Sequence, residues 1–296
     1  MADPLFAVLA GVSGTLVLMA LAYMVISTTR TALPVFQAEG ISFITGSDWH
    51  PAQGSYQILP FIYGTIVTSV IALILAVPMS IGVALFLTEY APKWLRAPIE
   101  YAVDLLAAVP SVVYGLWGVL VVLPYLLRPI SEFLSKHLGF IPIFSGPSAG
   151  LSYFAAGIIL SIMITPIITS LTREIFRSVP SADRHAAYAL GATRWEMIKA
   201  AVLPRSRAGV IGATMLGLGR ALGETIVVAL LIGSSPVINA SIFKAGGSIA
   251  GLIANGWGEA TGMQISALVG AGVVLFAITI VVNMVARAIV WRFNQA

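Results

Sequence analysis

REIFRSVPSADRHAAYALGATRWEMIKAAVLPRSR, Arg173 to Arg207, is a polar island in a chain that is otherwise mostly hydrocarbon. It carries seven of the sixteen Lys and Arg residues and lies between two long apolar segments. Across all 296 residues, 58% are hydrophobic and 9% are charged, whereas a soluble domain has about 25% charged residues. The chain therefore reads as an all-α integral membrane protein, and the island as a loop between spans. A loop so rich in Lys and Arg is expected on the cytoplasmic side.

Working outward from the island, six apolar segments reach spanning length, at about residues 5–28, 58–88, 101–127, 150–171, 208–232 and 265–291. Each holds the roughly 20 apolar residues that cross a hydrocarbon core. Each should be a helix, because a segment in lipid must satisfy its own backbone hydrogen bonds. Residues 1–296 then form a single transmembrane domain. Asp3 stands where a signal peptide would carry basic residues, so the first apolar run reads as a retained span.

One face collects Lys93, Arg96, Arg173, Arg177, Arg184, Arg194, Lys199, Arg205, Arg207, Arg287 and Arg292; the other has Arg30, Arg128, Lys136 and Lys244. This asymmetry puts both termini in the cytoplasm and segments 29–57, 128–149 and 233–264 outside. Pro78, Pro110, Pro124 and Pro166 fall within spans and are expected to kink them. Trp117 and Trp291 read as interfacial or lipid-facing aromatics. The Gly- and Ser-rich outer segment 233–264 should contain a short helix near 249–255.

Several chemistries are excluded. The chain has no cysteine, hence no disulfide and no thiolate ligand or nucleophile. His50, His137 and His185 are scattered without metal-ligand spacing. None of the lysines follows a glycine, so no Gly-Lys-Ser/Thr loop is present to cradle nucleotide phosphates.

The island has its own grammar. Ser181 is a candidate N-cap, and Asp183 suits the positive end of a helix dipole. Ala182–Leu190 is alanine-rich and should be helical. Gly191 supplies a left-handed stop. Thr193 and Glu196 have the spacing of a capping box, opening a second helix through Trp195 and Met197 that Leu203-Pro204 should end. The result is two short helices joined at a glycine, with aromatic and methionine side chains turned outward. Such a loop fits either a docking element for a partner protein or an amphipathic segment on the lipid surface.

HAAYALGATRWEMIKAAVLP, residues 185–204, resembles the signature loop of ABC-importer permeases. Ala186, Ala187, Gly191, Leu203 and Pro204 match that pattern in register. His185 replaces its usual glutamate and Ala201 its isoleucine. GLGRALGET at 217–225, VPSVVYGLWG at 109–118, LPFIYGTIVTS at 59–69 and the run 240–260 extend the likeness to the phosphate-specific branch, in its PstC rather than its PstA type.

The resemblance implies a type I importer permease with six transmembrane helices in a bacterial or archaeal inner membrane. It implies a second, PstA-like permease, two ATP-binding subunits that hold ATP–Mg, and an extracytoplasmic phosphate-binding protein. This chain would bind no cofactor, catalyse no reaction and contact no nucleic acid. Residues 173–207 would couple it to the ATPase. A permease for sulfate or molybdate and a self-sufficient secondary transporter remain as alternatives.

Arg220 and Glu224 fall inside the fifth expected span, four residues apart, which places them on one helix face. Ionisable groups at membrane depth mark substrate paths, and a guanidinium fork suits an oxyanion. Arg220 is therefore expected to line the path and Glu224 to hold it in place, although a structural ion pair would use the same residues. Gly219 and Gly223 form a GxxxG pair suited to close helix approach. Asp104 is expected at the interface in solvent, and Glu89, Lys93, Arg96 and Glu100 on a solvated mixed-charge loop.

Overall fold

The computed structural model describes residues 4–146 and 150–294, the side chains at 4, 5 and 289–294 excepted. The readings of Trp291 and Arg292 thus lie outside the described side chains. The described chain is helical apart from loops and one small hairpin, in which Trp49–His50 pairs antiparallel with Ser55–Tyr56.

Among the described residues, five helices are long and apolar enough to cross a membrane. α1 (Pro4–Glu39) is longer than expected and carries Arg30 within it. It continues past residue 28 because Ala32 and Val35 are fully buried near its end. α2 (Leu59–Leu85) runs on through a π turn at Phe86–Tyr90. α3 (Lys93–Ala108) and α4 (Ser111–Leu138) divide the third expected span. Pro110 is the cause: a residue before proline avoids the helical region, and Val109 is extended at φ −65°, ψ 129°. Residues 101–108 thus belong to an amphipathic helix rather than to the span. Pro78, Pro124 and Pro166 stay inside helices.

α5 (Tyr153–Arg177) is the central helix, with 61% of its most apolar stretch buried, whereas α1 has 0%. Ile159, Leu160, Ile164 and Ile168 of α5 pack with Ala72 and Ala76 of α2 and with Val122 of α4 in the main core. Small alanines on α2 let the β-branched ridge of α5 come close, which maximises dispersion contacts. Ser80 Oγ ties the two helices by donating to the Thr165 carbonyl at 3.0 Å.

α6 (Ser181–Ala189) is followed by α7, which starts at Arg194–Met197, passes through a π turn at Ile198–Val202 and continues as Leu203–Gly223. Leu203-Pro204 therefore does not end the helix. Proline has no N–H to give the carbonyl one turn back, and the wider π turn just before it accommodates the defect. The fifth expected span is not one helix either. α7 stops at Gly223, Glu224 is extended at φ −70°, ψ 126°, and the chain resumes as α8 (Ile226–Leu231).

The segment after α8 is stitched onto the ends of other helices. Tyr153 N–H donates to the Lys244 carbonyl and Phe154 N–H to that of Ile242, and Phe243 is fully buried beside Phe144 and Phe154. α9 (Ile249–Gly256) occupies the position expected for a short helix, capped by Ser248 Oγ on the Gly251 N–H. α10 (Met263–Asn294) begins beside α9, where Leu268 meets Gly256 and Gly272 meets Ile253. A second core joins α10 to the end of α1 through Val35, Phe43, Ala267 and Ala271.

Candidate functional site: the polar loop and the Arg220 cleft

The polar loop is built on a small core of its own. Ala84, Leu85, Phe176, Val179, Met197, Ile198 and Val202 form a buried cluster, with Ala187 and Leu203 packed against it. Met197 is thus buried, not turned outward, because the first turn of α7 sits on the end of α2. The outward side chains are Leu190, 90% exposed, together with Trp195 and Tyr188. Asp183, His185, Ala186, Gly191, Thr193, Glu196 and Pro204 are also exposed. Leu190 is the residue that the sequence reading passed over, because it reads as the last residue of an alanine-rich helix and nothing in that pattern says which way it points.

Local chemistry fixes the loop's shape. The cap before α6 is Pro180, with no side-chain bond, rather than Ser181, which is the first helical residue. Gly191 has φ +82°, and the Gly191 and Ala192 N–H groups donate to the carbonyls of Tyr188 and Ala187. This double closure needs a left-handed residue at its centre. Thr193 and Glu196 form a complete capping box: Thr193 N–H donates to Glu196 Oε2 at 2.8 Å, and Glu196 N–H to Thr193 Oγ1 at 3.4 Å. The backbone N–H of Thr193, then its hydroxyl, hold the Glu196 carboxyl below its ordinary value.

Arginines bolt the loop to the spans. Arg184 donates to the carbonyls of Phe176 (2.6 Å) and Val179 (3.0 Å), and to Glu89 at 3.1 Å. Glu89 is only 9% exposed in its side chain. Arg177 pairs with Glu100, and Arg173 reaches Asp104 at 3.7 Å. Arg96 donates to the Thr88 carbonyl. Glu89 and Glu100 are therefore pinned to the loop and the end of α5, not spread over a solvated face.

Arg220 lies elsewhere. It is exposed on α7 and lines a cleft of about 880 Å³ shared with Ile167 of α5 and with Asn283 and Arg287 of α10. Glu224 does not share its helix face, since the backbone has left the helix there. Glu224 is 8% exposed, and one carboxylate oxygen accepts from the Val227 N–H at 3.3 Å, at the start of α8. Among the described residues no ion pair joins Arg220 to Glu224. A local cap on the start of α8 has replaced the expected i,i+4 contact.

The glycines also sort differently. A Cβ at Gly219 or Gly223 would meet nothing within 4 Å. The close approach of α7 to α5 is made instead at Gly217 and Gly209, where a Cβ would lie 2.6 Å from Ile168 and 2.7 Å from Ile175. Among the described residues no cluster of His, Asp and Glu is arranged to hold a metal ion.

Residues 76–295 match the family described as binding-protein-dependent transport system inner membrane component. Relatives named phosphate transport system permease protein PstC include one from Xylella fastidiosa, 44% identical over 99% of this chain and 92% of its own length. Those of Pasteurella multocida and Mesorhizobium japonicum are 44% and 39% identical, over 88% and 99% of this chain and 82% and 91% of their own lengths. Among solved structures, a chain of the bacterial alginate ABC transporter, in complex with an alginate pentasaccharide-bound periplasmic protein, superposes with TM-score 0.65. It is 18% identical and covers 96% of this chain and 95% of that one. A chain of the inward-facing MetNI methionine ABC transporter gives 0.55 at 16% identity, over 80% of this chain and 94% of its own. These likenesses carry the fold, and the family match with the near-full-length relatives carries more: this chain belongs to the inner-membrane components of binding-protein-dependent transport systems.

Proposed function

We propose that this chain is the membrane-spanning permease subunit of an ATP-driven phosphate importer. The observation that carries the reading is Arg220, a guanidinium lining a cleft between apolar helices and paired with no carboxylate among the described residues. A buried or lipid-facing structural arginine would need such a partner. One facing a path takes its counter-ion from the substrate. The relatives named as phosphate permeases support the choice of ion.

The open side of the cleft is where a second, PstA-like permease completes the path. Gly219 and Gly223, with free space at Cβ, let that partner come close. Glu224 keeps one carboxylate oxygen clear of the Val227 bond. Glu224 is not part of the cleft lining, so it must turn that oxygen toward the path to accept a hydrogen bond from the acidic proton of hydrogen phosphate, which sulfate lacks at neutral pH. ATP–Mg is bound by two separate ATPase subunits, and the exposed Leu190, Trp195, Tyr188 and His185 of the polar loop seat in them. Loop and termini then face the cytoplasm, and an extracytoplasmic binding protein delivers phosphate at the far side. Alternating access follows when closure of the ATPase pair pulls the loop.

The test is ATP-dependent uptake of labelled phosphate by the reconstituted assembly, with sulfate in excess. We expect uptake that ignores sulfate and is lost in Arg220→Gln at an equal level of assembly. Undiminished uptake by that variant sinks the path role, and suppression by sulfate moves the cargo to another oxyanion.

A further inference from the structure

The cleft holds a second guanidinium. Arg287 lines it from α10, four residues after Asn283, which lines it as well. That spacing puts both on one strip of the helix. By charge counting Arg287 is a loop-end cation, and α10 carries it into the cleft lining. Like Arg220, it has no ion pair among the described residues. The intervening wall includes Ile167 and Leu216, so these side chains concentrate the positive charge of an otherwise apolar slot.

The two arginines stand at different levels. The cleft follows α7 from Ala208 to Arg220, about 18 Å at roughly 1.5 Å per residue. Arg220 ends that stretch, farthest from the polar loop. α10 starts beside α9, past α8, and only its last turns reach this cleft on the way back. Arg287 therefore comes toward the loop end.

We propose that Arg287 and Asn283 form a second anion station, which receives a tetrahedral oxyanion of the phosphate type from Arg220 on its way to the loop end. The inference rests on the transport reading above. The guanidinium fork supplies two N–H donors to one oxyanion, and the Asn283 amide supplies a third. Two weak stations in series let an ion enter against desolvation and still leave, as in other selective pores.

The experiment uses the reconstituted importer and two readouts. The first is ATP-driven uptake of labelled phosphate by Arg287→Gln, Arg287→Lys and Arg220→Gln at matched assembly. The second exploits the lack of cysteine in this chain: Asn283→Cys is modified with an anionic methanethiosulfonate, with and without millimolar inorganic phosphate. Arg287→Gln should slow uptake about tenfold or more, as expected for a lost charge-assisted contact, and Arg287→Lys should recover most of it. Phosphate should slow modification of Asn283→Cys, and this protection should vanish when Arg287→Gln is added. Full-rate uptake by Arg287→Gln, or modification indifferent to phosphate, overturns the second station. If Arg287→Gln does not assemble, the lysine variant and the protection assay decide. An unaltered importer that moves no phosphate overturns the transport reading and this inference together. One that moves phosphate while Arg287→Gln keeps pace removes only the second station.

Discussion

Gly217 and Gly219 are two residues apart on one helix and do opposite things. A side chain at Gly217 would press on Ile168, which is fully buried in the main core, whereas Gly219 has open space. Gly217→Val should therefore destabilise the chain by about 1–3 kcal/mol through overpacking. Gly219→Ala should leave its stability equal or slightly raised, since alanine favours a helix by up to about 1 kcal/mol over glycine. Thermal unfolding of the purified chain in detergent checks both. Equal melting of the two variants would mean that α7 and α5 are not in close contact there. The same sorting applies to charge: Arg220 faces a cleft while Glu224, four positions on, serves the backbone of α8.

The polar loop behaves as an element through its attachments. Arg184 joins the end of α5, the start of α6 and the π turn after α2 in one fork. Arg184→Ala would strand Glu89, and removing one partner of a poorly exposed pair costs about 3 kcal/mol. The expected outcome is an assembly that still hydrolyses ATP but moves less phosphate per ATP, whereas Glu89→Gln, which keeps an acceptor, stays near normal. Unchanged phosphate-to-ATP ratios in Arg184→Ala would deny the fork a role in transmission. The capping box has a pH signature as well. Because Glu196 is held below its ordinary value in the folded loop, the cap contributes fully above the unfolded value and is lost as pH falls through the lowered folded one. Amide protection factors at Glu196 and Met197, taken relative to the intrinsic exchange rate at each pH, should fall on acidification, and less so in Thr193→Ala, where the cap is already broken. These local signals were legible in the sequence because Gly191, Thr193 and Glu196 act over three or four residues. The break at Glu224 was not, since 208–232 reads as one apolar run and the Glu224 carboxylate caps the helix that follows, which the helical pattern does not predict. Met197 was misread for a related reason. Outward or inward depends on which helix arrives opposite, and composition does not carry that.

At the scale of the whole molecule, burial is concentrated on α5. Ile164→Ala should cost about 2–5 kcal/mol as a core cavity. Leu16→Ala, on the lipid-facing length of α1, should stay within about 0.5 kcal/mol. Comparing their unfolding in detergent tests whether the molecule is organised around α5, and similar losses would contradict it. The pairing of α1 with α10 has another consequence. Val35 and Phe36 pack against Gly270, so the first helix of the chain finds its main partner in the last. A ribosome adds about 5–20 residues per second, which leaves α1 waiting in the bilayer on the order of tens of seconds before its companion emerges. During that interval only its end has a protein neighbour, at the start of α2, and lipid must shelter the rest, so a chain interrupted before α10 would leave most of α1 unclaimed, a visible mark for the machinery that clears unfinished membrane proteins.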